Sequence, residues 1–181
     1  SQEFTCVWYR RGFQVPESWA GQRVLLHFGA VDYAATVWLN GRLVASHEGG
    51  HTPFQADVTS ALRPGAQEVV VRAEDAPAAM DQPRGKQDWL TPSHHIWYPR
   101  TTGIWQPVWL EPVPAAWIAG LHFTPDVQAF AIDVDARVAM APGLAAEEPL
   151  HLDLELRLGE RLLAATSVLV TGAEAKCRVH L

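Results

Sequence analysis

The chain has 181 residues, 48% of them apolar and 19% charged, with a formal net charge of -6. That length can bury a real core in one domain or two, and this balance excludes intrinsic disorder. The acidic excess, spread over both halves, excludes the basic face that nucleic acid requires, and no run approaches the roughly eighteen apolar residues of a membrane span.

The opening stretch, SQEFTCVWYRR, lacks the basic-then-apolar order of a signal peptide. This stretch need not be the natural start, so export is left open, with the cytoplasm slightly favoured. Val24 to Phe28, Thr36 to Leu39 and Arg42 to Ser46 are short, rich in β-branched or aromatic residues and bounded by turn formers, which predicts strands. Asn40-Gly41 joins two of them into a hairpin, because a type I′ turn needs positive φ at both central positions. His47-Glu48-Gly49-Gly50-His51 fits the H-E-x-x-H zinc pattern, which works only on a helix, where residues four apart share a face. Two glycines there would cost about 1 kcal/mol each relative to alanine. Strand signals precede the motif and Pro53 follows it, so a bend is expected, with His47 and His51 as a hydrogen-bonded loop scaffold and no metal. Pro64-Gly65 marks a turn, and Glu68 to Glu74 predicts the next strand.

The segment from Ala76 to Tyr98 exceeds an ordinary connection, and long loops of this kind are commonly functional. It concentrates Lys86, Asp88, Trp89, His94, His95, Trp97 and Tyr98. Sugars are held by hydrogen bonds to their hydroxyls and by aromatic faces against the apolar side of the ring, and this loop offers both. His94 and His95, read as neighbours in a strand, would point opposite ways and hold no metal.

Val108 to Glu111 predicts a further strand, with Trp105 and Trp109 packing the core as the plain role for large aromatics. Composition then changes: all eight Trp lie at or before Trp117, and EPVPAAW carries two prolines. We expect a boundary there, with domains at 1–112 and 113–181. The later part predicts an immunoglobulin-type sandwich, truncated because about 68 residues remain against roughly 100 for a complete one. Its clearest strand is Leu150 to Leu158, with five leucines alternating with polar residues, and Gly159-Glu160 turns it into RLLAATSVLV. Asp153 and Glu155 fall on the outward side of that strand, and Glu147-Glu148 reads as a surface turn, so no pair of carboxylates suggests itself for catalysis. Cys6 and Cys177 are expected to be free, buried thiols. The fold class is all-β.

Several motifs together resemble the N-terminal region of glycoside hydrolase family 2, the β-galactosidase, β-glucuronidase and β-mannosidase group. They are WYRR at Trp8 to Arg11, the VWLNG hairpin, HEGGHTPF at His47 to Phe54, DVT at Asp57 to Thr59, and RTTGIWQPVWLE at Arg100 to Glu111. The resemblance implies a jelly-roll sugar-binding domain followed by an immunoglobulin-like β-sandwich. It also implies a catalytic TIM barrel that is absent here, since a barrel alone takes about 250 residues. A further strand normally precedes the WYRR position in the family. An Asp six residues before the glycine of the GI pair touches sugar in related enzymes; here that position is Trp97, which leaves Asp88 as a substitute within the same loop. Arg100 matches an Arg often found before the GI pair.

The expected function is that of a non-catalytic region of a β-glycosidase, shaping the substrate pocket. The sugar-contacting residues would be Asp88, Trp89, His94, His95, Trp97, Tyr98 and Arg100, with no catalytic residue, no metal and no cofactor. The expected partners are a β-glycoside and the barrel of the same polypeptide, with homo-oligomerisation left open. The alternatives are a free-standing carbohydrate-binding module and a structural interaction domain.

Overall fold

The computed structural model describes residues 4–76, 78–79, 81–90, 92–141 and 149–181. Among them the chain is all-β, with only two three-residue 3-10 turns, at Glu17–Trp19 and Thr59–Ala61. It divides into two compact units, Ser1–Val113 and Pro114–Leu181.

The first unit holds β1 (Cys6–Gln14), β2 (Arg23–Phe28), β3 (Val31–Asp32), β4 (Ala34–Leu39), β5 (Arg42–Glu48), β6 (Phe54–Asp57), β7 (Ala66–Glu74), β8 (Gly103–Ile104) and β9 (Val108–Val113). One antiparallel sheet runs β1-β7-β4-β5, a second runs β6-β2-β9, and β3 pairs with β8. Every second residue faces the shared core: Val24, Leu26 and Phe28 from β2, Ala35, Val37 and Leu39 from β4, and Val71 and Ala73 from β7. Alternate side chains of each strand are removed from water in this way, as the two-residue repeat of a strand dictates. Phe28 stacks on Phe54 across the β2–β6 pair at 4.7 Å between centroids.

Local chemistry fixes the connections. Asn40 and Gly41 both have positive φ, 52° and 82°, as the hairpin requires. The Asn40 amide then donates to Ala61 O at 2.9 Å and to Gln67 Oε1 at 2.8 Å, while its oxygen accepts from Glu68 N–H at 2.9 Å. Asp57 Oδ1 accepts from the Thr59 N–H at 3.0 Å and from its hydroxyl at 2.6 Å, nucleating the second 3-10 turn.

Along one flank the sandwich is open. Two adjoining clefts of about 470 and 440 Å³ lie between β1 and β9, lined by Tyr9, Arg11, Phe13, Phe28, Val69 and Leu110 among others. Among the described residues no strand pairs with the outer edge of β1 or of β9.

The second unit holds β10 (Ala116–Asp126), β11 (Ala131–Met140), β12 (His151–Leu158), β13 (Arg161–Leu169) and β14 (Glu174–His180). Its sheets are β10-β11-β14 and β12-β13. Its core is smaller, with Ala136, Leu152 and Ala175 buried and Leu154 and Val170 packed against them. Asp153 and Glu155 point outward from β12 as expected, whereas Glu147 and Glu148 lie outside the described residues.

Three expectations need correction. Trp105 and Trp109 are not core residues: they are 51% and 46% exposed. Leu110 is the β9 residue packed against the core, so its neighbour Trp109 faces out and stacks flat on His27 at 4.7 Å. Cys6 and Cys177 are free but only half-buried, because both lie on strands at a sheet edge. His94 and His95 belong to a turn rather than a strand, with His95 at φ 52° and the rings 5.1 Å apart, edge to face.

Candidate functional site

The long loop after β7 starts from a buried polar anchor. Asp75, which follows the last residue of β7, pairs with Arg100 Nη2 at 2.7 Å, their side chains only 4% and 7% exposed. The Gln82 amide also donates to Asp75, and the Thr102 hydroxyl donates to Phe4 O at 2.6 Å. Beside this pair, Asp32 of β3 accepts from Gln87 Nε2 at 2.7 Å, and Gln87 Oε1 accepts from Thr101 N–H at 2.9 Å. Burial pushes the Asp32 carboxyl above its ordinary value; Asp75 adds to that push, while the Gln87 bond, His51 and Arg100 oppose it. Both limbs of the loop are thus tied to the sheet through the buried carboxylates of Asp32 and Asp75.

Above the anchor the loop closes on itself. Gln87 and Tyr98 form an isolated parallel bridge, with Tyr98 N–H donating to Lys86 O at 2.9 Å and Asp88 N–H to Tyr98 O at 2.8 Å. The described residues between them, 88–90 and 92–97, include the Asp88 carboxylate to which the backbone of Leu90 and His94 is bonded. Asp88 has no exposed surface. Its Oδ1 accepts from Leu90 N–H at 3.0 Å, and its Oδ2 accepts from His94 N–H and faces His94 Nδ1, both at 2.6 Å. Burial alone would raise the Asp88 carboxyl, but the bonds from Leu90 and from the His94 backbone and ring hold it below its ordinary value.

The outer surface of this loop is aromatic. Trp89 is 57% exposed, lies 5.7 Å from the half-buried Trp97, and meets the His94 ring edge-on at 5.9 Å. His95, Ile96 and Tyr98 are exposed beside them. Of the seven residues singled out in the sequence, Trp89, His94, His95 and Trp97 are therefore linked by ring contacts, and Tyr98 is exposed at the end of the loop. Asp88 is buried and Arg100 is in the anchor.

The anchor's other members escaped sequence reasoning. Asp32 stands between Val31 and Tyr33 in an otherwise apolar stretch, which is the one local signal of a buried carboxyl. Asp75 looks like any polar residue at a strand end.

The HEGGH stretch is the predicted bend. Gly49 has φ 136°, His47 Nε2 meets the Thr52 hydroxyl at 2.9 Å, and the His47 ring stacks on Phe54 at 4.4 Å. His51 makes an edge contact with Trp105, whose indole N–H donates to Gly50 O at 2.7 Å.

Comparison with known proteins follows the same outline. Residues 2–106 match the family model described as glycosyl hydrolase 2 galactose-binding domain-like. A β-galactosidase of Thermoanaerobacter pseudethanolicus is 33% identical over 119 residues, which is 66% of this chain and 15% of that protein. A β-glucuronidase of Paenibacillus borealis is 51% identical over 59 residues, 33% of this chain and 10% of the relative. A solved β-glycosidase from Bacteroides vulgatus superposes with a TM-score of 0.74 at 19% identity, covering 98% of this chain and 21% of that one, a likeness of fold. The chain spans about a tenth to a fifth of the length of these relatives.

Proposed function

The chain belongs to glycoside hydrolase family 2, as the galactose-binding-like N-terminal domain of β-glycosidases, and on that premise we propose that it shapes a glycan pocket without performing the chemistry. In this reading residues 1–112 are the sugar-binding jelly roll and residues 113–181 an immunoglobulin-like spacer. The bond-breaking carboxylates belong to a barrel of the same polypeptide. Retaining hydrolysis needs two carboxyl groups about 5–5.5 Å apart, one protonated and one ionised, and no residue of this chain is assigned that role.

The observation that carries the proposal is the aromatic cluster of Trp89, His94 and Trp97 above the anchored neck. Trp89, Trp97 and Tyr98 offer ring faces to the C–H side of a pyranose, and His94 and His95 offer ring nitrogens to its hydroxyls. Asp88 and Arg100 contribute by holding the loop in one shape, which lowers the ordering cost of binding.

The test uses the β-glycosidase that carries this chain, assayed on chromogenic β-galactoside and β-glucuronide. Trp89→Ala and Trp97→Ala should each lower kcat/KM about tenfold, the scale of one lost aromatic contact. Wild-type kinetics in both variants would overturn the reading. Calorimetric titration of simple sugars against the 181-residue chain separates the alternative: micromolar affinity would mark a free-standing carbohydrate-binding module.

A further inference from the structure

Asp88 and His94 are joined at both ends of the histidine, through its backbone N–H and its ring, at 2.6 Å each. The His94 side chain is nevertheless 34% exposed, while that of Asp88 has no exposure. An ionised carboxylate can only accept hydrogen bonds. The hydrogen between Asp88 Oδ2 and His94 Nδ1 is therefore the imidazole's own. A neutral imidazole that keeps its hydrogen on Nδ1 has a bare lone pair on Nε2. No described residue hydrogen-bonds to that Nε2, and the ring carrying it stands beside Trp89 and, through Trp89, Trp97. His95, by contrast, has no hydrogen-bonding partner among the described residues, so placing its ring against a ligand would cost side-chain entropy that His94 has already lost on folding.

We propose that His94 is the residue of this loop that reads a sugar hydroxyl, accepting its O–H at Nε2, and that Asp88 is a positioning residue that fixes the imidazole tautomer without touching the ligand. This rests on the reading that the loop faces a glycan. The chemical class selected is a neutral hydroxyl placed next to an apolar ring face. A carboxylate is disfavoured at this point, because two lone pairs would then face each other. The arrangement resembles the orienting carboxylate behind a metal-bound or catalytic histidine, here used for recognition.

Two measurements test it. Nitrogen-15 NMR of the ring nitrogens in the 181-residue chain, above the pH at which imidazole protonates, should show His94 with hydrogen on Nδ1. Asp88→Asn should abolish that pattern. In the β-glycosidase that carries this chain, His94→Ala and Asp88→Asn should raise KM about tenfold with little change in kcat, the scale of one lost hydrogen bond. His94→Gln, which restores an acceptor, should recover part of the loss.

An unchanged tautomer pattern in Asp88→Asn overturns the positioning role. Wild-type kinetics in His94→Ala alongside losses in Trp89→Ala and Trp97→Ala overturn the hydroxyl contact and leave the glycan-facing loop standing. Wild-type kinetics in all of these variants remove that loop from the site. If Asp88→Asn fails to fold, the comparison of His94→Ala with His94→Gln decides, since the substituted ring is partly in solvent.

Discussion

Replacing Arg100 by Met tests whether the anchor under the loop is an electrostatic unit. Arg100 and Asp75 are 2.7 Å apart and almost fully buried. Unit charges about 4 Å apart attract by roughly 4 kcal/mol at an effective dielectric of 20. Most of that attraction offsets the cost of removing both ions from water. Deleting one partner therefore exposes the desolvation cost of the other, about 3–5 kcal/mol. Among the described residues, Arg100→Met leaves the Asp75 carboxylate with the Gln82 amide as its close side-chain donor, since the Thr102 hydroxyl at 3.4 Å gives its hydrogen to Phe4 O. We expect a loss of about 3 kcal/mol in the first unit. Asp75→Asn added to Arg100→Met should recover roughly 2 kcal/mol, because no buried charge then remains. Seven of the eight Trp belong to the first unit, so indole fluorescence in urea follows its transition. With a slope near 2 kcal/mol per molar urea, the single substitution should lower the midpoint by about 1.5 M. A shift below about 0.3 M, or losses that simply add in the double variant, would refute the reasoning.

Two further substitutions probe the surroundings of the loop. Gly103 has φ 115°, and a Cβ there would run into the Tyr9 hydroxyl, whereas Gly41 has φ 82° and open space around it. Gly103→Ala should cost at least about 2 kcal/mol and Gly41→Ala about 1, and equal losses in urea unfolding would remove the steric argument. The Asp32 carboxyl is raised by burial, so its protonated form favours the folded state. That contribution is complete below the unfolded carboxylate value near pH 4 and fades as pH rises through the higher folded value. Asp32→Asn mimics the protonated form and should gain on the wild type between about pH 4 and pH 7, seen as a widening gap in urea midpoints. Parallel pH curves would contradict it.

The strands were legible because the signal that makes them is local. Alternation in Leu150 to Leu158, the β-branched and aromatic run Val24 to Phe28, and Asn40-Gly41 between two apolar runs each carry their own strand or turn. The facing of Trp109 was not legible, because VWL is apolar at every position and only its partner β2 decides which side is core. The loop's aromatic cluster could be read as a group, since its members crowd into a few residues. Asp88 could not be assigned to the inside: a buried carboxylate in a polar loop and a solvated one share the same neighbours in sequence. The Asp75–Arg100 pair joins positions 25 residues apart, beyond any periodic signal.

The open flank between β1 and β9 has a practical outcome for anyone handling this polypeptide. Among the described residues, two rows of amide and carbonyl groups stand there without strand partners, over clefts walled by Tyr9, Phe13 and Leu110. Such borders recruit other extended chains, including copies of themselves. Dimers or larger species from a concentrated preparation of these 181 residues are therefore expected to arise by border-to-border adhesion, and their stoichiometry would describe that adhesion rather than the quaternary state of a β-glycosidase.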